Sequence, residues 1–412
     1  MISLPIIIHG VTGRMGQVAL TAVKRVSNEK MITVNSEEIQ PIPIGVGRNF
    51  EKLKVIAHAF EMEHFTSDLA EAYDIARRIN PRHQVYHCTI STGIRADVMI
   101  PALSILDSST TAVFMEKPIA GNYADGYAIV KKLEEDKFKH GVVHHMLEAP
   151  GVKKALDFIL QIRPLHCQMK FGYEVAPGFG DKEYCCQRPD FNWTLEEAGG
   201  GIILDMCHEG YLSEALFGET EHLSATARLL IEKRLAYDRD GTIDCDVEDY
   251  AMIRREHTNG VVNTSIWAWY RRINSEFGPL EITIEGENGS IVFGLYGLKV
   301  QWKETAPLLL WEKALENLKI KWRDYWQYVE LKHRDPFAQE LADYLKSIFT
   351  GEKYWKNAIH ALDILGQVEA LYESAADAGK PVHRDNFFRY PHPVPTNWKP
   401  ERLKGKLKGV KR

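Results

Sequence analysis

The sequence predicts an α/β protein: an N-terminal doubly wound Rossmann dinucleotide-binding domain, then a C-terminal α+β domain with an open, mainly antiparallel sheet. Three observations predict this class. Over the first third, short apolar runs alternate with helical patterns, the grammar of βαβ units and a parallel sheet. A glycine-rich turn, Gly10-Val11-Thr12-Gly13-Arg14-Met15-Gly16, joins the first such run to the first helix. Beyond Pro150 strands follow one another through turns such as Asn259-Gly260 and Asn288-Gly289, with few helices between. A chain of 412 residues exceeds what one core usually organises. The expected division is 1–146 for the dinucleotide-binding domain and 147–412 for the sheet domain with C-terminal helices and a tail.

Taken in order, residues 4–9 form a buried strand and 17–26 have helical spacing. Strands are expected at 40–46, 84–90, 111–114 and 141–146, with helices at 50–60, 95–106 and 123–135. The second half reads as strands at 165–173, 220–230, 248–256, 260–269, 280–285 and 290–293. Helical periodicity returns at 336–349 and 358–378. From about Pro381 the chain is rich in Pro, His and Lys and is expected to wrap the surface.

Composition excludes several classes. Apolar residues at 45% and charged residues at 26% are those of a globular protein. The net charge of −5 is spread along the chain, which gives nucleic acid no basic footprint. No apolar stretch is long enough for a membrane span, and the N-terminus lacks the basic region and cleavage site of a signal peptide. The six cysteines form no C-x-x-C pair, so reduced thiols and a cytoplasmic location are expected. Asp205, Cys207 and His208 are too close in sequence to converge on one ion without a fourth ligand, so no metal site is expected.

The glycine turn carries the first chemistry. Glycines between a strand and a helix let backbone N–H groups and the positive helix end approach a pyrophosphate. Gly10, Thr12, Gly13, Arg14, Met15 and Gly16 are therefore candidate cofactor residues. At the end of the second strand, where an acidic residue would hold the adenosine ribose, stand Gly47, Arg48 and Asn49. Arginine there suits a 2′-phosphate or stacks on adenine, so both NAD and NADP are candidates and Arg48 favours NADP. Thr89, near the end of the 84–90 strand, and Glu116 and Lys117, after the 111–114 strand, lie on the same cofactor side. A lysine so placed suits proton exchange with a substrate hydroxyl.

Three segments share an order and spacing: the glycine turn, Glu116-Lys117-Pro118-Ile119-Ala120, and Gly199-Gly200-Gly201-Ile202-Ile203-Leu204-Asp205 followed by His208. Together they resemble the Gfo/Idh/MocA oxidoreductase family over about residues 5–380, and 248–254 with 281–290 resembles its sheet domain. The resemblance implies a nicotinamide bound at the cleft of a Rossmann and a sheet domain, and homo-oligomers, dimeric or tetrameric, joined through sheet faces. It implies Lys117 as the proton-relaying lysine and His208 as a second acid/base or hydroxyl-orienting group, with Asp205 beside it. The family often spaces this aspartate and histidine one residue further apart and places another aspartate three residues on, where this chain has Tyr211. The division of labour among Asp205, His208 and Tyr211 is left open. His144, His145, Tyr173, Arg188, Asp190, Asn192 and Trp193 are expected to line a pocket for a ring bearing several hydroxyls.

The expected activity is hydride transfer between NAD(P) and a hydroxyl or carbonyl carbon of a sugar, sugar derivative or polyol. Two alternatives stand beside it: an NAD-dependent glycoside hydrolase working by transient oxidation and elimination, and a non-catalytic nucleotide-binding regulator.

Overall fold

The computed structural model describes residues 1–172, 188–237, 239–269 and 275–402. Its first layer follows from the apolar run at the N-terminus. In strand Ile2–His9, Leu4, Ile6 and Ile8 face one core cluster and Ile7 the other, and all four are fully buried. Such two-sided burial requires cover on both faces of a parallel sheet. The strand sits centrally, paired in parallel with Glu37–Val46 on one side and Gln84–Cys88 on the other. Thr111–Met115 and Lys139–Val142 continue the sheet beyond Gln84–Cys88. His64–Thr66 extends the opposite edge in parallel, and Thr33–Val34 adds a short antiparallel hairpin. The chain thus runs outward from Ile2–His9 in both directions. The crevice where that order reverses lies at the carboxyl ends of Ile2–His9 and Gln84–Cys88, which is where doubly wound sheets bind ligands.

The second sheet has nine strands, in the order Gln327–Tyr328, Leu298–Trp302, Gly289–Phe293, Leu280–Gly286, Pro164–Gly172, Val262–Ala268, Tyr250–His257, Thr220–Arg228 and Val382–His383. All pairs are antiparallel except Pro164–Gly172 with Val262–Ala268. Burial alternates along Tyr250–His257, so one face is packed and the other is not. The packed face meets the helix Ala358–Ala376, whose Ser374 hydroxyl accepts from Ala225 N–H, and His208–Phe217. Helix Pro336–Thr350 instead joins the core around the first sheet, where Tyr344 stacks on Phe114 and donates to Val113 O.

Some elements differ from the sequence reading. The strand expected at 141–146 is Lys139–Val142, and the chain turns into a 3₁₀ segment at His145–Glu148 because His144 N–H leaves the sheet for the Glu340 carboxylate at 2.7 Å. Helices Leu69–Ile79 and Pro150–Ile162 and strands His64–Thr66 and Leu298–Trp302 were not among the expected elements. Among the described residues no helix is long and apolar enough to cross a membrane.

Candidate active site

Helix Arg14–Asn28 begins at Gly13 with no side chain capping it and no acidic residue in its first turn, so its amide end is left for an anion. The three glycines differ in what they permit. Gly10 has a φ of +95°, which side-chain-bearing residues rarely adopt. A β-carbon on Gly16 would stand 2.2 Å from Gly10 O and 2.5 Å from Val11 Cα, so this glycine lets the helix pack on the strand. A β-carbon on Gly13 would meet only Gly10 O, at 3.3 Å, and otherwise open space. The turn is therefore closed from within by Gly16 and open outward at Gly13, which fits a pyrophosphate.

Around this turn, Thr89 donates to His9 O at 2.8 Å and lies under Gly10, so its hydroxyl fixes the strand end. Asn49 accepts from Lys52 N–H and caps helix Phe50–Ala59. Arg48 is exposed just past the second strand. Thr12, Arg14 and Met15 lie in the turn and first helical residues.

Lys117 follows Thr111–Met115. Its ammonium donates to Asp205 O at 2.6 Å and to Asp205 Oδ1 at 3.3 Å. The other oxygen, Oδ2, accepts from Arg188 at 2.5 Å, and Arg188 also donates to Asn192 Oδ1 at 2.9 Å and lies over the Trp269 ring. Burial alone would push the Asp205 carboxyl up, but Arg188 and Lys117 outweigh it and hold the group below its usual range, so it is ionised at neutral pH. Asp205 ends the short helix Ile202–Asp205, whose first amides are anchored by the Glu248 carboxylate: Gly201 N–H at 3.2 Å and Ile203 N–H at 3.0 Å.

His208 opens the next helix, His208–Phe217, and is 2% exposed. It sits among rings: His145 at 5.0 Å and Tyr211 at 5.1 Å, both edge-on, while His144 stacks on Tyr211 at 4.2 Å and Phe337 on His145 at 4.0 Å. Burial, then the charge of Lys117, lowers the His208 imidazole well below its ordinary value. His145 is depressed to about 3 and His144 is also lowered, burial leading in each. All three rings are therefore neutral at pH 7. Nδ1 of His208, of His144 and of His145, and the Tyr211 hydroxyl, meet no partner among the described residues. Buried polar atoms without partners call for an occupant or an exchange partner. The Glu116 carboxyl, also buried, is pushed up to about 7.

The structure thus brings Lys117, Asp205, His208, Tyr211, His144, His145, Arg188 and Asn192 together. Two expected pocket residues stand elsewhere. Trp193 is 1% exposed, with Arg234 over its ring and Trp269 against its edge, and so belongs to the core. Asp190 accepts from Tyr237 N–H and pairs with Arg239. Tyr173 lies outside the described residues.

The sequence reading missed the clamps that hold this arrangement. Arg95, 2% exposed, donates to the carbonyls of Ile90, Glu116 and Pro118, tying together the loops after two Rossmann strands. Gly199 packs on Gly121 so closely that a β-carbon there would be 2.7 Å from Gly121 Cα. Arg402 spans both sides of that contact, donating to Gly199 O at 2.6 Å and Gly121 O at 2.9 Å while paired with Glu369. The end of the described chain, expected to wrap the surface, therefore locks the lysine loop to the glycine triplet.

Comparison with known proteins agrees with this architecture. Residues 163–292 match the GFO/IDH/MocA C-terminal domain. The chain is 25% identical over 360 residues to a D-xylose dehydrogenase of Paenarthrobacter nicotinovorans, covering 84% of this chain and 88% of that protein. A levoglucosan dehydrogenase solved with NADH and L-sorbose superposes with a TM-score of 0.72 at 18% identity, over 93% of this chain and 98% of the other. An oxidoreductase from Agrobacterium radiobacter, solved with NAD+, L-tartaric acid and magnesium, gives 0.65 at 16% identity over the same shares. With its sheet domain matched and its two layers folded as theirs are, the chain is similar to proteins of the Gfo/Idh/MocA family.

Proposed function

We propose that this protein is a nicotinamide-dependent oxidoreductase that interconverts a hydroxyl and a carbonyl on a sugar or polyol. The observation that carries it is the meeting of Lys117, from the carboxyl end of a Rossmann strand, with Asp205 and the buried ring cluster of His208, at the switch-point side of a doubly wound sheet. The sugar dehydrogenases among its relatives, and the NADH and NAD+ in their complexes, support the substrate class and favour NAD. In this reading residues 1–146 bind the nucleotide, with Gly10, Thr12, Gly13, Arg14, Met15 and Gly16 around the pyrophosphate, and 147–412 supply the sugar side. The buried thiols Cys88, Cys167, Cys207 and Cys245, none of them in a disulfide, suit a cytoplasmic location.

When bound, the nicotinamide supplies the hydride acceptor for oxidation or the donor for reduction. The residues of the chain manage the proton. An ammonium has three N–H groups; two of Lys117's point to Asp205 O and Oδ1, and the third is left for a substrate oxygen. In reduction Lys117 gives that proton to the carbonyl oxygen, and in oxidation the hydroxyl proton returns to it. The Asp205 carboxylate, fixed by Arg188, holds Lys117 in place. His208 stays neutral and orients the hydroxyl through hydrogen bonding, since burial opposes its becoming an imidazolium.

Incubating the protein with aldoses, anhydrosugars and polyols and either cofactor, and following absorbance of the reduced nicotinamide, tests this. Turnover on at least one sugar is expected; tight nucleotide binding with no turnover on any would leave a regulator instead. Free sugar from glycosides without net reduced cofactor would indicate hydrolysis. For NADP, Arg48→Ala should weaken that cofactor more than NAD, by roughly 1.5 to 3 kcal/mol for a lost charged hydrogen bond. Equal loss for both points to adenine stacking.

A further inference from the structure

A cleft of about 870 Å³ lies beside the ring cluster, bounded by the end of helix Arg14–Asn28, the start of helix Pro336–Thr350 and the turn between strands Gly289–Phe293 and Leu298–Trp302. Sites for drug-sized ligands span roughly 300–1,000 Å³. His145 forms part of its wall; Phe337, also in the wall, stacks on that ring at 4.0 Å, and His208 meets it edge-on at 5.0 Å. The cleft therefore begins one ring away from the groups around Lys117. It is separate from the glycine turn, because it uses Arg25 and Glu29 from the far end of the helix that the turn opens.

The lining has the chemistry of a surface for hydroxyls. Tyr296 offers an aromatic ring that is 53% exposed. The polar groups around it are held in place by one another. Asp335 Oδ1 accepts from Phe337 N–H at 2.9 Å, while Oδ2 accepts from Arg25 at 2.7 Å, and Arg25 also pairs with Glu29 at 3.3 Å. Arg334 donates to Gln339 Oε1 at 3.2 Å. A guanidinium has five N–H groups, so each pairing leaves donors over, and His333 adds a ring whose nitrogens donate or accept. Arg25 and Arg334 are balanced by Glu29 and Asp335, so the cleft carries no excess charge to select a phosphate or an ammonium. A neutral ligand rich in hydroxyls suits it best.

We propose that this cleft holds the second sugar of an oligosaccharide whose reacting ring lies at Lys117, so that the substrates are disaccharides or longer chains rather than free monosaccharides. The proposal rests on the sugar-oxidoreductase reading above. Tyr296 takes the apolar C–H face of the second ring, and the Arg25–Asp335 and Arg334–Gln339 pairs take its hydroxyls, each of which needs a partner once it leaves water. An acidic sugar is a poorer occupant, since Glu29 and Asp335 oppose its charge.

Steady-state kinetics of the full-length chain with NAD+ test this, using maltose, cellobiose and xylobiose beside glucose and xylose, on wild type, Tyr296→Ala and Arg334→Ala. At least one disaccharide should have a kcat/KM about 10-fold or more above that of its monosaccharide. Each variant should lower that ratio about 10-fold, chiefly through KM, because the lost contact is made equally before and during reaction. A wild type that prefers every monosaccharide, or variants whose ratio equals that of wild type, overturns the proposal and leaves the oxidoreductase reading standing. If no sugar turns over, that reading has failed, and calorimetry with the same disaccharides decides the cleft on its own. Binding that Tyr296→Ala weakens about 10-fold then supports it; no heat, or heat that the variant leaves unaltered, overturns it.

Discussion

Replacing Gly13 by valine separates folding from cofactor binding, because the structure assigns the glycines of the turn different tasks. Gly13 precedes the helix at φ −81° and ψ 167°, a conformation any residue adopts, and a β-carbon there meets only Gly10 O at 3.3 Å. The cost to folding is that of a poorer N-cap, roughly 0.5–2 kcal/mol. The valine methyls, however, project into the space before the helix amides. Loss of two charged hydrogen bonds there, about 1.5 kcal/mol each at the low end, weakens nucleotide binding about 100-fold. Calorimetric titration with NAD+ and NADH, beside a thermal melt, measures both effects. Gly16→Ala is the opposite control: its β-carbon would lie 2.2 Å from Gly10 O, so the melt should collapse before binding can be judged. Gly13→Val with a cofactor Kd within a few-fold of wild type would refute the placement of the pyrophosphate at this turn.

Arg402→Met should destabilise the fold by about 3–5 kcal/mol, since it leaves the Glu369 carboxylate buried without its guanidinium. Arg402→Met/Glu369→Gln should recover part of that loss in thermal melts; fully additive losses would contradict the pairing. The protein should also lose stability in acid. His9 is depressed to about 4 and His87 and His145 to about 3, so below the unfolded value near 6.5 the unfolded chain binds protons the folded chain refuses. That stability is complete above pH 6.5 and drains as pH falls toward 3, by at most about 1.4 kcal/mol per group per pH unit. Glu116, raised to about 7, and Asp363, raised to about 6, work oppositely, losing stability as pH rises from about 4 through those values, but His144 and His208, lowered as well, join the three imidazoles against them. Tm should fall between pH 6.5 and 5, and His87→Leu should flatten the slope; a Tm independent of pH over that range would refute the burial of neutral imidazoles.

The glycine turn and the lysine loop were legible because each lies within a few residues of a strand end, so local pattern fixed its side of the sheet. His208 and Asp205 were legible only through their spacing from the glycine triplet, and the contact of Asp205 with Lys117 spans 88 positions that no local period encodes. The clamps were not legible at all. Arg402 reaches Gly199 and Gly121 from 203 and 281 residues away, and nothing in a basic, proline-rich tail distinguishes it from its neighbours. Trp193 and Asp190 were read as pocket residues because aromatic and acidic side chains suit sugars; their actual partners, Arg234 and Tyr237, come from a separate hairpin region whose packing composition does not disclose. The end of the strand before His144 was misplaced for a similar reason, since it is Glu340, far along the chain, that draws that amide out of the sheet.

The part assigned to Lys117 is decided by turnover of Lys117→Met on a sugar that the wild type oxidises, measured beside its affinity for NAD+. Methionine keeps the approximate length of the side chain and cannot exchange a proton. Turnover should fall about 10²- to 10⁴-fold with the cofactor Kd nearly unchanged, and His208→Ala should lose less. Near-normal turnover by Lys117→Met would contradict the proton relay, and the pair formed by Asp205 and Arg188 would then be where the chemistry must be sought.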